Sequence, residues 1–178
     1  MEILINLLQE FDAEELFKFE SKNRSFFEQM VPSRGDDYYN FEIFTLRHQE
    51  LLREQEDGLS NFYLIKNNAG KIVGRINLVD MDKINSIAEI GFRVGAEYGG
   101  KGIGNQALNL LLKTDLSVRQ ISGKTTTVNY ASQKVLEKNG FKKVDISEEE
   151  FELNGQRMRF VHYLWKSKKI DGNNFPKN

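Results

Sequence analysis

The 178-residue sequence contains no cysteine. Disulfides, thiolate metal ligation and a cysteine nucleophile are excluded together. Histidine is almost as scarce. His48 and His162 stand far apart in sequence and argue against a zinc site, so no metal is expected. No apolar run approaches the roughly 20 residues of a membrane span. The opening "MEILINLLQEFDAEEL" is apolar for a few residues and then acidic, without the basic start or cleavage site of a secretory signal. An excess of either charge is lacking too, since 25 basic residues against 26 acidic leave a net charge of −1. That balance gives no general attraction to nucleic acid or to an anionic membrane. A soluble, cytoplasmic protein is the expectation.

The length suits one domain with a sizeable core and is short for two. We expect a single domain over residues 1–167, followed by an aperiodic, flexible tail at 168–178. After its apolar opening the chain shows helix signals: "FDAEELFKFE", with Asp12 as N-cap and Glu15 three residues on, then 40–57, closed by Gly58. Pro32 and Gly35 interrupt the stretch between them. The period then shifts to that of strands: "FYLIK" and "KIVGRINLVD" flank "NNAG", a hairpin signal, and "SIAEIGFRV" follows. A glycine-rich turn opens a helix running to about Lys113. "ISGKTTTV" reads as a strand, and "NYASQKVLEKNG" as a helix with Asn129 as N-cap and Gly140 just past its end. Two long strands joined at Asn154-Gly155 complete the pattern. Strand–helix–strand connections over 86–128 imply at least one parallel pair inside a mostly antiparallel sheet. The expected fold class is mixed α/β.

The densest feature is "AEYGGKGIGNQALNLLL". Gly99, Gly100, Gly102 and Gly104 lie between a strand end and a helix start. There the backbone N–H groups approach a ligand unobstructed and the helix dipole is positive, a geometry suited to phosphate. The dinucleotide spacing G-x-G-x-x-G fails, because Asn105 and Gln106 follow Gly104. Gly95 to Lys101 fits G-x-x-x-x-G-K, but Gly102 stands where a nucleotide P-loop needs a hydroxyl for magnesium.

Gly99-Gly100-Lys101-Gly102-Ile103-Gly104 resembles the acyl-CoA pyrophosphate loop of the GNAT N-acetyltransferase superfamily, Gln/Arg-x-x-Gly-x-Gly/Ala, with Gly99 in place of the leading Gln or Arg. "VNYASQKVLEKNGF" is similar to a second signature of that superfamily, through Asn129, Ser132, Gly140 and Phe141. "KIVGRINL" and "AEIGFRV" look like its central strands. Within the superfamily the likeness is to the RimJ/RimL group of ribosomal-protein N-terminal acetyltransferases, carried by "NRSFFEQMVPSRGDDYY", "GRINL" and "TTTVNYASQKVLEKNGF". The resemblance covers roughly residues 10–166. It implies helices on both faces of the sheet and one parallel strand pair splayed around acyl-CoA.

The resemblance implies roles for particular residues. Acetyl-CoA is the co-substrate, gripped by backbone groups from Gly99 and Gly100 through Lys101, Gly102, Ile103 and Gly104. Phe92 and Val94 offer main-chain groups to pantetheine and to the oxyanion. Glu89 is the candidate general base, with Glu150 and Glu152 as rivals; the alternative for Glu89 is an ordinary solvated or salt-bridged strand glutamate. A tyrosine that commonly protonates the leaving thiolate is here Leu136, and Ser132 is the substitute. Asn129 serves as helix cap, as pantetheine ligand, or as both. With no cysteine, direct attack by an amine in a ternary complex is the expected mechanism. The acceptor is an amine: a protein N-terminal α-amine, or a small amine such as a polyamine, an amino acid or an aminoglycoside. The rival from another class is a non-catalytic acyl-CoA-binding module. Asp36, Asp37 and Glu148–Glu150 are candidates to attract a cationic amine. The aromatics at 26–27 and 38–39 and His48 are expected in the core. His162 has no evident partner. Either a monomer or a homodimer is compatible with the sequence.

Overall fold

The computed structural model describes residues 1–114 and 116–167, and the expected tail at 168–178 lies outside them. The chain runs β1 (Ile3–Leu7), α1 (Ala13–Phe27), α2 (Phe41–Glu56), β2 (Asn61–Asn67), β3 (Ile72–Asp82), β4 (Ile87–Val94), α3 (Ile103–Lys113), β5 (Gln120–Thr126), α4 (Tyr130–Lys138), β6 (Lys142–Ile146), β7 (Phe151–Leu153), β8 (Gln156–Met158) and β9 (Phe160–Lys166). Seven strands form one sheet in the order β1-β2-β3-β4-β5-β9-β6, and β7 and β8 pair separately. Every neighbouring pair in the large sheet is antiparallel except β4 with β5. The mixed, mostly antiparallel α/β architecture is the one expected. Among the described residues no helix is long and apolar enough to cross a membrane.

Strand alternation gives the sheet two apolar faces and the molecule two cores, one on each side. On one face Ile76, Leu78, Ala88 and Ile90 meet Ala107, Leu108 and Leu111 of α3 and Leu136 of α4. On the other, Leu16, Phe19 and Phe27 of α1 and Phe44 of α2 cover Phe62 and Leu64. Each large apolar side chain buried this way contributes about 1.5–3 kcal/mol. On β4, Ala88 and Ile90 turn toward α3 and α4, so Glu89, Gly91 and Arg93 turn toward the α1–α2 side. Arg93 bears this out by pairing with Glu20 of α1 at 3.1 Å.

Three local expectations are corrected. The apolar opening is not mere approach to a helix: Ile3–Leu7 is an edge strand paired with β2. Asp12 does not cap α1 with its side chain, because it is already helical at φ −79°, ψ −11°, and its carboxylate turns back. It accepts from the Gln9 N–H at 2.9 Å and pairs with Lys66 at 2.8 Å. Asn154-Gly155 does not join two long sheet strands. Both edges of β9 are taken, by β5 and β6, so the intervening segment pairs only with itself as β7–β8. Its turn nevertheless has the expected form, with φ +52° at Asn154 and +75° at Gly155.

Candidate active site

The ladder between β4 and β5 runs from Ile87 opposite Gln120 to Ile90 opposite Gly123 and then stops. β4 continues beside β3 as far as Val94, and β5 continues beside β9 as far as Thr126. Each strand follows its other neighbour, so a wedge opens between Gly91–Val94 and Lys124–Thr126. The phase of the main chain along β4 is fixed at two points. The Gly95 N–H donates to the Val73 carbonyl on the β3 side at 2.9 Å, whereas the Ala88 carbonyl accepts from Ser122 Oγ on the β5 side at 3.4 Å. Peptide groups alternate sides along a strand, so Phe92 and Val94 turn their N–H and C=O groups into the wedge.

One lip of the wedge leads into the glycine turn. Gly95 opens it, and the buried Asn23 of α1 holds it there: Asn23 Oδ1 accepts from the Ala96 N–H at 2.9 Å. Sequence reading missed Asn23, which carries no signal beyond an ordinary helical position. Gly100 and Gly102 have φ +71° and +76°, which disfavours any side chain, although a Cβ at either would meet only open space. The constraint is therefore conformational. Gly99, at φ −58°, is under no such constraint. Gly102 is the N-cap of α3, with no side-chain cap and no acidic residue in the first turn. The first N–H groups of α3 thus point outward at the positive end of the helix dipole. Ile103 is buried and offers only its backbone, while Lys101 is exposed with Nζ 5.6 Å from the centre of the Tyr98 ring. A Cβ on Gly104 would lie 3.6 Å from Val135 and 3.8 Å from Phe92, so this glycine sits where the turn meets the wedge and α4.

The other lip leads from β5 into α4. Asn129 caps that helix, its Oδ1 accepting from the Ser132 N–H at 3.1 Å. Ser132 is half-buried, and among the described residues its hydroxyl has no hydrogen-bond partner. Asn139 Nδ2 donates to Asn105 Oδ1 at 3.0 Å and ties the far end of α4 to the first turn of α3. Leu136 is buried against Gly123, where a Cβ would come within 3.2 Å of it. It packs the strand below the wedge.

Glu89 stands on the opposite face of β4, half-buried between Val79 and Ser122. Among the described residues its carboxylate makes no ion pair or hydrogen bond. The same face continues outward across β5 and β9 through Lys124 opposite His162 and Thr126 opposite Phe160. Lys124 Nζ lies 4.9 Å from the Phe160 ring, which stacks on Phe151 of β7 at 4.6 Å. His162, without an evident partner in the sequence, is 2.9 Å from Ser147 Oγ. Glu150 and Glu152 are exposed at the β7–β8 hairpin. Glu150 lies 3.5 Å from Arg159, and Glu152 sits opposite Arg157.

The core expectations hold for Phe27, Tyr38 and His48, all buried, while Phe26 and Tyr39 are half-buried. Asp36 pairs with Arg24, whose guanidinium also lies 4.3 Å over the Tyr39 ring. Asp37 and Glu148–Glu150 are exposed.

With this geometry in view, the chain can be compared with known proteins. Residues 2–142 match the family described as the acetyltransferase (GNAT) domain. The Bacillus subtilis probable N-acetyltransferase YjcK is 31% identical over 160 residues, covering 86% of this chain and 87% of that protein. Among solved structures, the ribosomal-protein-S5-alanine acetyltransferase of Vibrio fischeri superposes with a TM-score of 0.86 at 20% identity, covering 95% of each chain. The spermidine N-acetyltransferase of Vibrio cholerae, solved with CoA and spermine, gives a TM-score of 0.75 at 18% identity, over 92% of this chain and 95% of that one. The chain belongs to the GNAT family of acetyltransferases.

Proposed function

We propose that this protein transfers acetyl from acetyl-CoA to an amine by direct attack in a ternary complex. The observation that carries the reading is the wedge itself. Its two lips carry a helix start without a side-chain cap and a serine hydroxyl that has no partner among the described residues, and a glutamate likewise without a partner among them stands on the opposite face. The turn fits a pyrophosphate. Its N–H groups are free of side-chain caps, no carboxylate stands in the first turn of α3, and the space beside Gly100 and Gly102 is open. Phe92 and Val94 extend the grip along pantetheine as an added strand would, and a main-chain N–H of this stretch meets the oxyanion.

An alkylammonium with a pKa near 10.4 is almost wholly charged at neutral pH, so attack needs a base. Glu89 takes a proton from the amine. The nitrogen lone pair then forms the C–N bond to the thioester carbon, and collapse of the tetrahedral intermediate breaks the C–S bond. Ser132 Oγ–H donates a hydrogen bond to the departing sulfur as charge gathers on it, and the proton that the attacking nitrogen sheds on becoming an amide ends on the released thiolate.

For the acceptor we favour the α-amine of a protein N-terminus. Lys124 stands on β5 two residues past Ser122, on the same face of the sheet as the base. A polycation approaching Glu89 would meet its charge, whereas a peptide bears one charge at the amine and presents neutral backbone to the Phe151–Phe160 stack. The fold neighbour acting on ribosomal protein S5 supports this RimJ/RimL-like assignment; the spermidine enzyme keeps a small amine as the alternative. The deciding experiment measures CoA release with peptides bearing free Ser, Ala or Thr N-termini, the same peptides blocked, spermidine and an aminoglycoside. Release confined to free N-termini supports the proposal. Release confined to a small amine replaces the acceptor, and acetyl-CoA binding without release points to a non-catalytic module.

A further inference from the structure

Among the described residues three glycines lie inside strands: Gly74 on β3, Gly91 on β4 and Gly123 on β5. A glycine in a strand forgoes side-chain packing and loses more backbone freedom on folding than any other residue. It costs about 0.5–1 kcal/mol relative to alanine. Packing requires two of the three. A Cβ on Gly74 would come within 2.6 Å of the Arg93 carbonyl oxygen, and one on Gly123 within 3.2 Å of both Ile90 and Leu136. Gly91 has neither that reason nor a conformational one. A Cβ there would meet no atom within 4 Å, and its φ is not positive. It is exposed although β4 is a central strand of the sheet.

The open space lies on the face of β4 that carries Glu89. Gly91 follows Glu89 by two residues, so their Cα atoms are roughly 7 Å apart and their side-chain directions point to the same side. Arg93, next on that face, does not fill the space. Its guanidinium is drawn to α1, where Glu20 lies at 3.1 Å and the Phe27 ring at 4.7 Å. Phe92 turns its main-chain groups into the wedge, so Gly91 turns its own toward β3, where it sits opposite Asn77. A side chain at position 91 would therefore stand over the sheet beside the base, and not in the gap between β4 and β5.

The wedge begins at Gly91, on the far side of Glu89 from Ile87. A thioester held there brings the attacking amine to the Gly91 side of the carboxylate. An amine hydrogen-bonded to Glu89 at about 3 Å carries its own α-carbon and first side chain within the next few ångströms, over Gly91. We propose that Gly91 determines acceptor specificity: the space left by its missing side chain receives the first residue of an N-terminal peptide while the amine meets Glu89. The role rests on acetyl transfer with Glu89 as the base, and it makes position 91 a gauge of the acceptor's first side chain.

Steady-state kinetics on the full chain, with peptides that begin with Gly, Ala, Ser or Thr and with spermidine, compare wild type with Gly91→Ala and Gly91→Val. Wild type should use the peptides. Gly91→Ala should lower kcat/KM for the Thr peptide about tenfold or more beyond its effect on the Gly peptide, the discrimination that one methyl-sized group supplies in a filled site. Gly91→Val should widen that gap further. Acetyl-CoA affinity by calorimetry should be unchanged. The urea midpoints should be no lower than wild type, because alanine and valine suit an open strand position better than glycine does. Glu89→Gln, in contrast, should slow every peptide alike and leave the Gly-to-Thr ratio in place. A uniform fall across the peptides in the Gly91 variants, no fall in either, or a lowered midpoint would overturn the assignment. So would wild-type transfer to spermidine alone, which keeps acetyl transfer but offers no first residue to gauge. Wild type that releases no CoA with any acceptor would sink the acetyl-transfer reading, and this role with it.

Discussion

Glu89 stands directly across from Ser122 in the sheet's parallel ladder, one rung before the last pair. Beyond that pair the strands part, so the carboxylate lies at the root of the wedge. If it is the base, Glu89→Gln removes a proton acceptor of nearly identical shape. General-base catalysis contributes about 10²- to 10⁴-fold, so kcat/KM at neutral pH should fall within that range with acetyl-CoA affinity unchanged. The deficit should narrow as pH rises toward the amine's own pKa, because more acceptor is then already neutral. A pH–rate comparison of the two proteins checks this, and parallel profiles would remove Glu89 from the role.

Ser132 and Asn129 separate chemistry from capping. Among the described residues the Ser132 hydroxyl has no partner, so Ser132→Ala should leave the melting temperature unchanged and slow turnover. Asn129→Ala deletes the acceptor of the Ser132 N–H and should cost about 1 kcal/mol of stability. Denaturant unfolding beside steady-state kinetics distinguishes the two. A Ser132→Ala protein with normal kcat would leave the leaving sulfur without the donor proposed here.

Gly102 joins conformation to cofactor. Its φ of +76° with open space around a notional Cβ means that Gly102→Ala strains the backbone without a clash in the protein itself. Left-handed backbone costs a non-glycine residue about 1–2 kcal/mol, so both stability and acetyl-CoA binding should weaken. Gly99→Ala, at φ −58°, is the control and should be tolerated in stability. Calorimetric titration with CoA reads the difference. Equal affinities for the two variants would argue against a grip that depends on the turn's shape.

These comparisons also mark what the sequence could reveal. Glycine density, the Asn129 cap and the change of period from helix to strand are local signals, and each corresponds to an observed element. The same holds for α2, whose N-cap Asn40 accepts from the Glu42 and Ile43 N–H groups. What escaped were consequences of distant pairing. Ile3–Leu7 is a strand because β2 offers it an edge, and the Asn154-Gly155 turn serves a separate hairpin because β9 is already occupied on both sides. Asn23 anchors the glycine turn from 73 residues away, and nothing in its own neighbourhood announces it. The wedge likewise required knowing where the β4–β5 ladder stops.

Glu20 was equally invisible, an acidic residue in an ordinary helix that proves to be fully buried between Arg75 and Arg93. Removing one member of a buried charge cluster leaves the others uncompensated and costs about 3–5 kcal/mol. Glu20→Gln should therefore lower the urea midpoint strongly with little change in slope. Lys22→Ala, which breaks an exposed pair with Glu97, should leave the midpoint in place. Similar midpoints for the two variants would show that the buried cluster contributes little.

Tyr163 ties stability to alkaline pH. It is 1% exposed, its hydroxyl donates to Glu137 Oε1 at 2.9 Å, and its pKa is raised to about 12, chiefly by burial and then by that hydrogen bond. An unfolded tyrosine ionises near 10. The folded state thus holds its proton longer than the unfolded state. The stability this adds is fully present below about pH 10 and is lost as pH rises through about 12. Tyr163→Phe cannot ionise, so the stability difference between wild type and variant should be constant below pH 10 and change steadily above it, with the wild type losing ground. Urea unfolding of both proteins across that window measures the difference directly. The chain has six tyrosines, so absorbance titration should show one fewer late-ionising group in the variant. Parallel stability curves across the window would mean that Tyr163 titrates alike in both states, and its burial and hydrogen bond to Glu137 would then not account for alkaline sensitivity.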